Sequence, residues 1–176
     1  MNASTLQRGL DRINPGESQW RRYEGLIAVL LKKAFYPSLI DKPLLQVVTR
    51  APNYRRDIVI QAISAYGLWY SWSIHFKGDL FVIECKNLST PITSEEVDTT
   101  LKYMRRPGIA NLGFIFTRHP PAKSAHDAVK DAYILDRKLI LLIDDHDTFE
   151  FIRALDEPQG PELVFRRICR ERILAM

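Results

Sequence analysis

Apolar and polar positions fall into successive segments with distinct periods. In the first, Trp20, Glu24, Ile27 and Leu31 recur at i, i+4, i+7 and i+11, the stripe of an amphipathic helix. Asn14-Pro15 offers an N-cap and a first-turn proline, Glu17 stands at the capping-box position, and Pro37 follows the last turn. The pattern therefore predicts a helix from about residue 14 to Phe35. Two strands are expected next, Leu44–Arg50 and Arg56–Ala62, separated by an Ala51-Pro-Asn turn. Leu68–Phe76, dense in aromatics, fits either a strand or a helix. A Lys77-Gly78-Asp79 turn then leads into a third strand, Leu80–Lys86.

Beyond it the period alternates. Thr93 or Ser94 caps a helix that stops near Arg106-Pro107-Gly108. A strand over Leu112–Thr117, a helix opened by Pro120 or Pro121 and reaching about Leu135, and a strand over Leu139–Ile143 follow. The last of these is wholly aliphatic, so a central place in the sheet is expected. A helix from about His146 to Leu155 is broken by Pro158-Gln-Gly-Pro161, and an amphipathic helix over Glu162–Leu174 closes the chain. Three consecutive strands imply an antiparallel meander, and the later alternation implies parallel pairing. The expected fold is α/β, with a mixed central sheet flanked by helices. Residues 1–13 carry little pattern and are expected to be a flexible arm ahead of a single domain, 14–176.

Composition narrows the class. The chain has 176 residues, 46% of them hydrophobic, enough for one domain with a real core. No apolar stretch approaches the ~18 residues that span a bilayer, and the N-terminal residues lack the apolar core of a secretory signal. Cys85 and Cys169 have no CxxC spacing and are expected to be reduced thiols of a cytoplasmic protein. The histidines, at 75, 119, 126 and 146, are too scattered for a zinc site. Charge is unevenly spread: residues 17–56 hold eight Lys or Arg against three acids, 144–162 seven acids against one Arg, and 163–176 four Arg against one Glu. One region suits a polyanion and another does not, although a solvated surface of patchy charge reads the same way.

Candidate chemistry centres on Leu80–Asn87. Strand periodicity points Glu84 and Lys86 to the same face of an otherwise apolar strand, and burying either charge unpaired costs several kcal/mol. A divalent cation and a phosphate meet that need; a Glu–Lys pair reaching water at the strand end is the bland alternative. Spacing alone is weak, since Asp136-Arg-Lys138 also matches acid-x-Lys in a polar turn. Asp57 opens the neighbouring strand and can share a cation with Glu84, Mg²⁺ being content with two carboxylates, waters and substrate phosphate; alternatively it pairs with Arg55 or Arg56. Glu24 lies on the apolar stripe of the first helix, aimed either at the same pocket or at a nearby base.

Tyr23-Glu24, Arg56-Asp57-Ile-Val-Ile, Phe81-Val-Ile-Glu-Cys-Lys-Asn87 and Pro91-Ile-Thr-Ser-Glu-Glu-Val97 leading to Tyr103 together resemble the Mrr-like branch of the PD-(D/E)xK nuclease superfamily, from about residue 17 to Ala154. The resemblance implies a restriction-endonuclease-like core, αβββαβ with an extra strand and helices. It implies Mg²⁺, replaceable by Mn²⁺, on Asp57, Glu84, the Cys85 backbone carbonyl and Glu24, with Lys86 orienting the attacking water or stabilising the charged phosphorane. Arg56 stands where the family often has Pro, and no helix-turn-helix or zinc finger is present to choose a target. The implied activity is Mg²⁺-dependent endonucleolysis of double-stranded DNA, fitting restriction or phage defence, by a homodimer or with a separate targeting subunit. An inactive nuclease-like module for binding or assembly, and a nuclease for RNA or branched DNA, are the alternatives. Arg55, Arg56, Arg105, Arg106 and Arg118 are candidate phosphate contacts, each equally readable as surface. Asn87 and Thr93 are candidate pocket supports. Trp69, Tyr70 and Trp72 read as core or an oligomer contact, with base stacking as the alternative. The last helix, with Leu163, Phe165, Ile168 and Ile173, reads as packing on its own domain or as a dimer contact.

Overall fold

The computed structural model describes residues 2–35, 44–48, 55–62 and 67–175, for 44–48 and 55–56 the backbone alone. The elements are α1 (Ala3–Asp11), a 3-10 turn (Glu17–Gln19), α2 (Trp20–Phe35), β1 (Leu44–Val48), β2 (Arg55–Gln61), α3 (Leu68–His75) and β3 (Leu80–Lys86). After these come α4 (Ser94–Met104), β4 (Ile109–Thr117), α5 (Lys123–Asp136), β5 (Leu139–Ile143), α6 (Asp145–Arg153), a 3-10 turn (Ala154–Asp156) and α7 (Gly160–Leu174). The described strands form one mixed sheet in the order β1-β2-β3-β4-β5. β1, β2 and β3 pair antiparallel; β3, β4 and β5 pair parallel. The α/β class and the mixed sheet expected from the sequence are present.

Alternation along the strands divides the core into two layers. Phe81, Ile83, Cys85, Phe114 and Leu141 join α1, α2, α3, α6 and α7 on one face. Val82, Ile115, Ile140 and Leu142 join α4 and α5 on the other. The aromatic-rich segment 68–76 settles as helix α3. Its Trp69 is buried and meets Phe35 and Phe81 edge-on at 5.1 Å, with Trp72 packed beside it. These two rings are core, while Tyr70 faces solvent. In α7, Phe165 and Ile168 pack inward, whereas Leu163 and Ile173 are exposed.

Three expectations are corrected. Residues 2–13, within the expected arm 1–13, are not loose: Asn2 caps α1 by accepting from the Thr5 amide, and Ala3, Leu6, Leu10 and Ile13 are buried. That short stripe becomes significant only where α2 and α6 are present to cover it. Leu10→Ala is accordingly expected to cost about 2–5 kcal/mol, measured by urea unfolding; a neutral substitution would restore the arm. Second, α-helix begins at Trp20 rather than at Pro15. Gly16 has φ 123°, outside the helical region, and its backbone is held by Asn87 instead. Third, the aliphatic β5 is not central but last in the described sheet. Its burial comes from α5 on one face and α6 and α7 on the other.

Candidate active site

β2 and β3 bring the principal candidates together. Ile58 pairs with Ile83, so one further step of that register sets Asp57 against Glu84. Directly opposed residues share a face, and Lys86 shares it two residues on. Ile58, Ile60, Ile83 and Cys85 lie on the opposite face, in the α2 layer. The apolar run Leu80–Ile83 anchors the strand, and the polar residues follow where it emerges from the sheet.

The ends of the two strands are tied crosswise. The Cys85 amide donates to Asp57 Oδ2 at 2.8 Å, and the Asp57 backbone lies near enough to the Glu84 carboxylate to favour its charged form. Lys86 Nζ donates to Glu84 Oε2 at 3.3 Å. Glu84 Oε1 is buried and has no hydrogen-bond partner among the described residues. Glu84 itself is 2% exposed, whereas the Lys86 side chain is 22% exposed. A cleft of about 330 Å³, lined by Glu17, Trp20, Asp57, Cys85, Lys86, Asn87 and Leu88, opens at this strand end. Glu84 does not line the cleft; it is bonded to Lys86, which does.

Electrostatics follow from that burial. Desolvation, with the Asp57 carboxylate adding to it, pushes the Glu84 pKa up to about 7 against the pull of Lys86. Desolvation also works against the Lys86 ammonium, but Glu84 and Asp57 outweigh it and hold its pKa above the ordinary value. The Cys85 thiol is pushed well up by burial and by Asp57, Glu84 and Glu24, which makes it an unreactive thiol. All three carboxylates thus act on one buried atom.

Glu24 is buried on α2, near enough to Cys85 to push its thiol pKa up. The carboxylate oxygens of Glu24, Asp57 and Glu84 do not gather within 4.8 Å as a set. The one such group among the described residues is Asp144, His146 and Asp147 at the start of α6. There Asp144 and Asp147 form a reciprocal capping box, and Arg172 pairs with Asp147. Those carboxylates are already engaged in ending a helix and docking α7.

The remaining candidates separate. Arg118 is buried and committed: Nε donates to Asp145 at 2.8 Å, and Nη1 to the Ile13 carbonyl at 2.7 Å and Asn87 Oδ1 at 2.9 Å. Its guanidinium carbon also lies 5.2 Å from the Tyr23 ring centroid. It is a structural clamp rather than a phosphate contact. Asn87 completes the clamp, donating to the carbonyls of Asn14 and Gly16, while also lining the cleft. Thr93 caps α4 through a capping box with Glu96. Arg105 is exposed and pairs with Asp136 across the α4–α5 groove, away from the cleft. Arg106 is half-buried beyond the end of α4. The backbones of Arg55 and Arg56 open β2, and their side chains lie outside the described residues.

Two further residues lie near the pair, one of them, Thr117, absent from the candidates of the sequence reading. Thr117 pairs with Lys86 across the parallel register, and its hydroxyl is buried without a hydrogen-bond partner among the described residues. Tyr103 on α4 is near enough to Lys86 to favour its charged form. Tyr103 was visible only as part of the motif after Val97, and Thr117 is brought there only by the register of β3 on β4, so no local pattern could have singled it out. No protein-family model, curated protein or solved structure matches this chain.

Proposed function

We propose that the chain is a metal-dependent nuclease that hydrolyses DNA phosphodiester bonds at the β2–β3 strand end. The observation that carries this reading is Glu84: a buried carboxylate with one oxygen unpartnered, bonded through its other oxygen to Lys86 and set opposite Asp57. Buried, half-satisfied charge is costly to keep and marks a functional site. A helix, an antiparallel three-strand meander and then parallel β-α-β connections also support a restriction-endonuclease-like core.

The donors suit a hard divalent cation. Glu84 Oε1, the Asp57 carboxylate and the Cys85 carbonyl are oxygens, as Mg²⁺ requires. Bound there, the cation supplies Lewis-acid polarisation of a phosphoryl oxygen and a more acidic water. The chain's own groups do the rest. Lys86, charged and reaching the cleft, holds a phosphate oxygen and stabilises charge that builds during the reaction. The Cys85 amide fixes the Asp57 carboxylate, and Asn87 holds the strand exit against the segment that begins α2. Trp20 and Leu88 provide an apolar wall to the cleft. Glu24, buried on α2 near Cys85, adds a third carboxylate to the surroundings of the site.

The test is a substrate panel of supercoiled, linear, branched and single-stranded DNA and RNA, with Mg²⁺, Mn²⁺ or EDTA. Cleavage of double-stranded DNA that needs the cation is expected. No cleavage of any substrate with either cation would overturn the reading, and cleavage confined to RNA would move the substrate class.

A further inference from the structure

A second cavity lies away from the strand end. It is a cleft of about 590 Å³ between α1 and α2, within the ~300–1,000 Å³ range of small-molecule sites. Leu6, Leu26 and Val29 give it an apolar lining. Arg8 in the last turn of α1 and Arg12 at its C-cap, four residues on, line it. Both are exposed, and neither forms an ion pair or side-chain hydrogen bond within the described residues. Among the described residues no acidic one lines the cleft.

Gly25 is the telling residue. It lies in the middle of α2, where glycine costs roughly 1 kcal/mol relative to alanine. Packing does not demand it, because a Cβ there would meet nothing within 4 Å. Across the cleft Gly9 of α1 differs, because a Cβ there would touch Leu26 at 3.0 Å. Gly9 thus lets α1 pack close to Leu26, whereas Gly25 leaves open volume in the cleft. An apolar trough with two unpaired guanidiniums at one side is complementary to a molecule with an apolar body and a planar anionic head.

We infer that the α1–α2 cleft is a binding site for a long-chain alkyl carboxylate, with its chain along Leu6, Leu26 and Val29 and its carboxylate on Arg8 and Arg12. This site is independent of the strand-end chemistry. Nonpolar chains leave water on entering such a cleft, and the two arginines select the charged head.

Dodecanoate titrated calorimetrically into the full chain, below its micelle concentration, is the probe. Saturable one-site binding is expected. Gly25→Leu fills the cleft with a better helix former, so it is expected to abolish binding while raising the melting temperature. The exposed double variant Arg8→Gln, Arg12→Gln is expected to keep its fold and weaken binding at least about tenfold, as loss of charge-assisted hydrogen bonds does. Dodecyl maltoside, which has the same chain and no charge, is expected to bind no better than dodecanoate does to that double variant. No saturable binding to the native chain, equal binding to the Gly25→Leu protein, or indifference to the two arginines would each overturn the site.

Discussion

Glu84→Gln is expected to abolish cation-dependent DNA cleavage and, at the same time, to stabilise the metal-free protein above neutral pH. The first effect follows from removing the carboxylate that a cation needs. Lewis-acid stabilisation amounts to several kcal/mol, so at 1.36 kcal/mol per decade the loss is roughly 10³-fold. The second follows from burial. The folded-state pKa of Glu84 is raised from 4.5 to about 7. Between those values the folded chain keeps a proton that the unfolded chain has lost. The favourable contribution of the neutral acid is complete below about pH 4.5 and disappears as pH rises through about 7. With 1.36 kcal/mol per pH unit, that is a fall of roughly 3 kcal/mol. Asp145 and Asp147 are also raised by desolvation, so the native chain alone does not isolate Glu84. The difference between native and Glu84→Gln proteins does. Urea unfolding in EDTA at pH 5 and pH 8 is expected to show a steeper loss in the native chain. Equal slopes would remove the buried carboxylate from the argument, whatever the cleavage assay gave.

Arg118→Met is expected to destabilise the chain by about 3–5 kcal/mol, the size of breaking a buried charge pair from one side. Three segments meet at this guanidinium: Asp145 at the start of α6, the Ile13 carbonyl after α1, and Asn87 after β3. Methionine keeps much of the aliphatic stem but leaves Asp145 half-buried without its cation and two acceptors without their donor. Arg105→Met removes another arginine–aspartate pair, and there little change in stability is expected because the pair is solvated. Chemical unfolding of the two variants side by side checks the contrast. Asp145→Asn combined with Arg118→Met should cost less than the sum of the single changes, since the residues share one network. Additive costs would mean that Arg118 acts through packing alone.

These two residues mark the boundary of what local pattern could reveal. Glu84 was legible because a charge within an apolar strand is anomalous wherever that strand goes. Arg118 was not, because an arginine after a strand looks the same whether it meets solvent or a buried carbonyl 105 residues away. Asn87 was visible as part of a motif, but its role depends on the neighbourhood of Gly16. Glu24 shows the opposite limit. Its place on the apolar stripe of α2 correctly implied burial, yet helix periodicity says nothing about which face of the sheet that stripe will cover.

Strand and helix periods, turn residues and caps were enough to locate β2, β3, β5, α2, α4 and α7 and to set Glu84 and Lys86 on one face, because those properties depend on neighbours within a few positions. The last place of β5 in the described sheet, the capture of α1 as core, the exact register that opposes Asp57 to Glu84, and the Arg118 clamp arose only in the tertiary structure. Each depends on contacts between distant segments, where burial turns an ordinary charge or a short apolar stripe into a large free-energy effect.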